Sequence, residues 1–221
     1  MPHRYWMRWG LVAVLILCAA ARADLRVTVD RNLGSDATYA FKFKNIPSPV
    51  KEDAAANATL VLIVGRRDTN GAPLSALVDG LLPNDEDQPD ANFFFAQGTR
   101  GGRIRMDFGG VIEIGQINSY SWHANTRGPQ FYNVFGSDGT DPKFNAAPDE
   151  KTNPADCGWK LIATVYTIPR QGGMGGQYGV SISDPSGSLG KYRYLLFDCD
   201  ATEVNDAWGN TFYSEIDVIK K

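Results

Sequence analysis

Apolar and polar positions trade places every second residue through most of this chain, the period of strands with one face in a core. Ile104, Met106 and Phe108 share one face of such a run, and Trp159, Leu161, Ala163 and Val165 share one face of another. Phe212, Ser214, Ile216 and Val218 alternate with Tyr213, Glu215 and Asp217. Nearer the N-terminus, residues 25–29, 39–44 and 59–64 read as further strands, with a polar loop or one short helix over 47–56. The intervals at 83–89, 137–142 and 184–187 are dense in Gly, Asn, Asp, Ser and Pro, which is turn chemistry. Many short strands broken by frequent turns predict an all-β sandwich or barrel.

Ahead of these strands, Arg4 and Arg8 precede an apolar run over 11–21, and Ala21-Arg22-Ala23 supplies a small-residue cleavage site. That is the pattern of a secretory signal peptide cut after Ala23. The apolar run is too short to span a bilayer as an ordinary helix. The expectation is therefore a signal peptide at 1–23 and a mature chain at 24–221, secreted or periplasmic and free of membrane after cleavage. Cleavage would remove Arg4, Arg8 and Arg22, leaving 19 basic against 25 acidic residues and a net charge of −6. An acidic chain without a Lys/Arg-rich run argues against nucleic acid and anionic lipid as partners.

Cys157 and Cys199 survive processing. In an oxidising compartment an even pair suggests a disulfide, worth ~4 kcal/mol by the chain-entropy argument. Two buried free thiols are the alternative.

A set of short phrases appears in fixed order over the C-terminal two-thirds: Val78-Asp79-Gly80, RIRMDFG at 103–109, QINSYSWH at 116–123, YNVFGSDG at 132–139, GWKLIATV at 158–165, KYRYLLF at 191–197 and FYSEIDV at 212–218. In that order the chain resembles the discoidin (coagulation-factor type C) and galactose-binding-like family. The resemblance implies a jelly-roll β-sandwich core at 75–219, carrying residues 24–74 as an N-terminal β-extension within one domain. It also implies a non-catalytic module that binds extracellular carbohydrate or a cell-surface glycan. The runner-up is a structural or adhesive surface protein that docks onto a protein partner. Two departures stand out: a long insert at 140–156, and cysteines placed inside the domain instead of at its ends.

The resemblance carries a ligand set with it. Asp79 in its Asp-Gly turn and Glu215 in the last strand match positions that hold a structural Ca²⁺ in relatives, and Asp85 crowds the same loop. Hard oxygen donors presented by a turn suit calcium; the alternative is an ordinary turn with a solvated acidic tip. No organic cofactor is implied. The loop after 116–123 holds Trp122, His123, Asn125 and Arg127, the aromatic and polar types that stack on a pyranose and read its hydroxyls. Tyr178, after the glycine-rich 171–176, and Trp208 are the remaining aromatic candidates for the ligand end. Trp122 alternates as a core residue also would.

Catalysis finds little support. One histidine remains after processing, which leaves no multi-histidine zinc site and no partner set for a nucleophile. A glycosidase would need two carboxylates facing each other across a cleft, and no acidic pair is singled out.

Overall fold

The computed structural model describes residues 25–203 and 210–221. The signal-peptide reading and Trp208 lie outside those residues. The chain is all-β with short 3₁₀ turns between strands: β1 (Arg26–Asn32), β2 (Thr59–Val64), β3 (Gly101–His123), β4 (Phe131–Ser137), β5 (Lys160–Tyr166), β6 (Gly176–Ser183), β7 (Gly190–Asp200) and β8 (Tyr213–Lys220). All pairings between these strands are antiparallel.

One long strand builds both layers. The two phrases at 103–109 and 116–123 read as separate strands in sequence but form the single 23-residue β3. Its first half pairs with β2 and β7 and its second half with β6 and β8. Between them, at 108–111, the register with β7 slips, and Gly109 takes a positive φ of 75°. A bulge with glycine is how a strand turns a corner from one layer to the next. The layers are therefore β2-β3-β7-β4-β5 and β1-β6-β3-β8, joined through β3. Their inner faces share one core, with Ile104, Met106, Val134 and Phe197 from the first layer and Ile117, Val180, Ile182 and Val218 from the second.

Two irregular segments cover the outer faces. Residues 39–44, expected as a strand, are instead part of a strap across the second layer. Phe41 and Ile46 are buried there with Tyr120 and Trp122, and Phe43 packs beside them. Phe41 adopts a φ of +45°, which breaks strand geometry and turns its ring edge-on to Tyr120 and Trp122. Backbone anchors hold the strap: Tyr120 Oη donates to the Pro47 carbonyl at 2.8 Å, and the Gln177 amide donates to that of Thr38 at 2.7 Å.

The insert covers the first layer. Phe144 lies 5.2 Å from the Trp159 ring and 5.1 Å from that of Tyr194, centroid to centroid. A register slip opposite Leu161 and Ala163 changes the phase of β5. The expected single face of Trp159, Leu161, Ala163 and Val165 is thereby split: Ala163 and Val165 enter the core, Leu161 is exposed, and Trp159 packs under the insert. Trp159 Nε1 donates to the Asn145 carbonyl at 2.8 Å. Trp159→Ala should cost ~3–5 kcal/mol in a denaturant titration, through lost burial and a cavity. A loss below ~1 kcal/mol would show that the insert repacks without it.

Cys157 and Cys199 are unbridged, a correction to the expected disulfide. They lie in different clusters, Cys199 in the main core and Cys157 under the insert with Trp159. Burial pushes the Cys199 thiol up to about 12 and raises that of Cys157, which leaves both as unreactive small hydrophobes.

Candidate functional site

With both outer faces covered, the open ground is the end of the sandwich where β3 and β4 begin and β5 and β7 finish. A cleft of about 540 Å³ lies there, with Arg100, Phe131, Asn133, Glu150 and Asp200 in its walls. It runs on into a second recess of about 620 Å³ bounded by Tyr166, Ile168, Met174, Thr202 and Glu203. The floor of the first recess is bare backbone at Gly101 and Gly102. A Cβ on Gly101 would sit 2.1 Å from the Cys199 carbonyl oxygen, and one on Gly102 would sit 2.2 Å from that of Val64. Both glycines are needed for β3 to approach its neighbours this closely.

The aromatic wall is Phe131 against Tyr166, ring centroids 5.2 Å apart at 80°. The residues pair across β4 and β5, and Tyr166, the last residue of the edge strand, is 59% exposed. An exposed Tyr166 against a half-buried Phe131, beside Arg100, Asn133 and Asp200, supplies apolar area plus a few orienting polar groups, the composition of small-ligand sites. Sequence reading missed these residues. The available signal was Tyr166 standing at the solvent phase of its strand, one residue beyond the phrase that ends at Val165.

The expected loop borders this cleft, with its side chains turned to packing. The His123 ring is buried; Nδ1 accepts from the Asn125 N–H at 2.8 Å and Nε2 lies 2.7 Å from an Arg127 nitrogen. Burial, with the Arg127 guanidinium beside it, pulls the imidazole down to about 4, so it is neutral at pH 7 although Asp87 lies 3.7 Å away. Arg127 stacks over Phe212 at 4.3 Å. Asn125 is exposed at the loop tip. Trp122 is held apart, buried under the strap with its Nε1 unpaired. Tyr178 is buried as well, and its hydroxyl donates to the Met174 carbonyl at 2.6 Å, behind the wall of the second recess. Thr126 ties the loop to the cleft through the Glu203 carboxylate.

The calcium residues are brought together in part. Glu215 Oε2 accepts from the Gly80 N–H at 3.2 Å, which sets it beside the Asp79 turn, while Asp79 Oδ1 caps the Leu81 N–H. Asp85 is exposed and accepts from the Glu86 N–H at 2.6 Å. Among the described residues no three Asp, Glu, His or Cys side chains converge as a set that could hold a metal. Asp79 and Glu215 are thus neighbours at this turn, while Asp85 stands exposed on the loop beyond it.

Glu215 also belongs to a buried acidic cluster. Glu215 and Asp217 are 2% and 0% exposed, on the β8 face beneath the strap. Asp217 Oδ2 accepts from the Val50 N–H at 3.2 Å, and Asp53 Oδ2 accepts from the Val218 N–H at 2.7 Å. Burial first, then the neighbouring carboxylates, push Glu215 up to about 9 and Asp217 up to about 7.

No family model and no curated protein sequence matches this chain. Solved structures do resemble it. The family 32 carbohydrate-binding module of NanJ from C. perfringens, solved with galactose, aligns at 9% identity and TM-score 0.47, covering 76% of this chain and 98% of that one. Chitosan-binding module 1 of a chitosanase/glucanase from Paenibacillus sp. IK-5 aligns at 15% identity and TM-score 0.46, covering 76% and 98%. The fucolectin of striped bass (Morone saxatilis) serum aligns at 13% identity and TM-score 0.46, covering 78% and 50%. Against SpGH29 the chain spans only 28% of the other's length. These neighbours are galactose-binding-like β-sandwich modules, the type the sequence phrases resemble. At these identities and scores the likeness assigns neither ligand nor activity.

Proposed function

We propose that the chain is a non-catalytic carbohydrate-binding module, exported from the cell, whose site is the cleft between Phe131, Tyr166, Arg100 and Asp200. The observation that carries the reading is the exposed Tyr166 ring set against a half-buried Phe131 at a polar cleft. An aromatic ring covers the apolar C–H face of a pyranose, while guanidinium, amide and carboxylate groups hydrogen-bond its hydroxyls. Binding is favoured over turnover because His123, the one histidine of the mature chain, has both ring nitrogens engaged and is neutral at pH 7.

The test is a glycan-array screen of residues 24–221 followed by titration of the best binder. Tyr166→Ala should weaken binding at least ~tenfold, equivalent to ~1.4 kcal/mol, with the melting temperature unchanged because the ring is mostly in solvent. A folded protein that binds no glycan would end this reading. So would glycan binding that neither Tyr166→Ala nor Phe131→Ala disturbs.

A further inference from the structure

We propose that the cleft holds an internal stretch of an extended glycan free of acid groups, several sugars at once, instead of a single terminal sugar. This rests on the carbohydrate reading of the same cleft and names its ligand class. The two recesses, of about 540 and 620 Å³, each fall within the range of small-ligand sites, about 300–1,000 Å³. They are continuous, since Arg100, Phe131 and Asp200 line both. Phe131 therefore stands at the junction, with Asn133 and Glu150 on one side and Tyr166 and Met174 on the other. A pyranose stacked on Phe131 would leave walled space on both sides. That space suits the preceding and following units of a chain.

The far wall is fixed in place. Arg31, on β1 of the other layer, donates through Nε to the Gly175 carbonyl at 3.1 Å and through a terminal nitrogen to that of Gly173 at 2.6 Å. Tyr178 holds the Met174 carbonyl between them. The glycine-rich segment is thus pinned from behind, and a pre-formed wall saves the ordering cost that a loose loop would impose on a long ligand.

Charge restricts the chain. Glu150 faces the first recess, Glu203 the second and Asp200 both. Of the two arginines, Arg103 is already tied to Asp198 at 2.9 Å, so Arg100 is the remaining guanidinium along the groove. A polyuronate would meet carboxylates along the whole path.

The experiment is calorimetric titration of the mature protein with linear homo-oligomers of glucose, N-acetylglucosamine, glucosamine and galacturonic acid, from monosaccharide to hexasaccharide. In at least one non-acidic series, affinity should rise ~tenfold or more from monosaccharide to tetrasaccharide and then level off. Reducing the terminal sugar should leave binding unchanged, and the galacturonic series should not bind. Tyr166→Ala and, separately, Asn133→Ala should each shorten the length at which affinity levels, with circular dichroism confirming the fold. A monosaccharide that binds as tightly as its oligomers would overturn the extended-chain inference while sparing carbohydrate binding. Galacturonate binding as tight as the neutral series would overturn the charge restriction. Silence from every glycan at every length would remove the inference together with the carbohydrate reading.

Discussion

Arg103→Met should cost ~3–5 kcal/mol and release the insert from the first layer, because it removes the buried arginine of an ion pair whose aspartate is only partly exposed. The Arg103 guanidinium is bidentate on Asp198, with Nε–Oδ1 at 2.9 Å and a terminal nitrogen to Oδ2 at 3.1 Å. Its other terminal nitrogen donates to the carbonyls of Asp149 and Thr152, the latter at 2.8 Å. One side chain thus satisfies a carboxylate and the backbone of a loop that has little regular structure of its own. Methionine fills the volume and satisfies none of these part-buried acceptors, so each loses its charged donor. The double variant Arg103→Met/Asp198→Leu should recover part of the loss, since removing both charges also removes the stranded carboxylate. Denaturant midpoints measure the energies, and limited proteolysis within 140–156 reports the loop. Glu150, carried by this insert into the cleft wall, makes weaker glycan binding a second consequence. A single-variant loss below ~1 kcal/mol would mean that Phe144 and Trp159 alone hold the insert down.

Strand alternation is a local property, which is why strand positions were legible in the sequence and their partnerships were not. Residues 59–64 form β2 as expected, and the glycine-rich run does lead into the strand that carries Tyr178. Gly109-Gly110 reads as a turn between two strands, whereas here it bends one strand into both layers. Tyr39, Phe41 and Phe43 have a strand's alternation, but the positive φ at Phe41 makes them a strap. Bulges defeated the face assignments. The slip opposite Leu161 and Ala163, and another between Tyr120 and Ser121 against β8, change which residues meet the core. The loop with His123, Asn125 and Arg127 lies at the same end of the sandwich as the cleft, and the hydrogen bonds from Asn125 and Arg127 to the His123 ring cannot be read from residue types. Tyr166 was passed over because exposure at an edge strand depends on which strands stay unpaired, a fact of topology and not of spacing.

The melting temperature should rise as pH is lowered from about 9 to about 7, the reverse of a protein stabilised by ionised carboxylates. Glu215 and Asp217 carry folded-state values of about 9 and about 7, both raised above ordinary carboxylates by burial first, then at Glu215 by the charges of Asp217, Asp79 and Asp53 and at Asp217 by that of Asp53, which is itself raised by burial. In that window the native chain binds protons that the unfolded chain does not. Their stabilisation is complete below the unfolded values and is lost as pH climbs through the folded ones. None of the ion pairs among the described residues supplies these carboxylates with a cation. Below about pH 6.5 the gain should flatten, because His123, held down to about 4 by burial and Arg127, begins to oppose it. Glu215→Gln should therefore melt higher than the parent at pH 8–9, by a smaller margin at pH 6, and nearly level with it only near pH 4, below the ordinary glutamate range, since glutamine keeps an oxygen for the Gly80 N–H without taking a charge. Millimolar Ca²⁺ should leave both curves in place, because among the described residues no group of three Asp, Glu, His or Cys side chains is placed to hold a metal. A calcium-dependent rise in the parent that Glu215→Gln abolishes would instead show that a bound ion, and not a proton, neutralises the cluster.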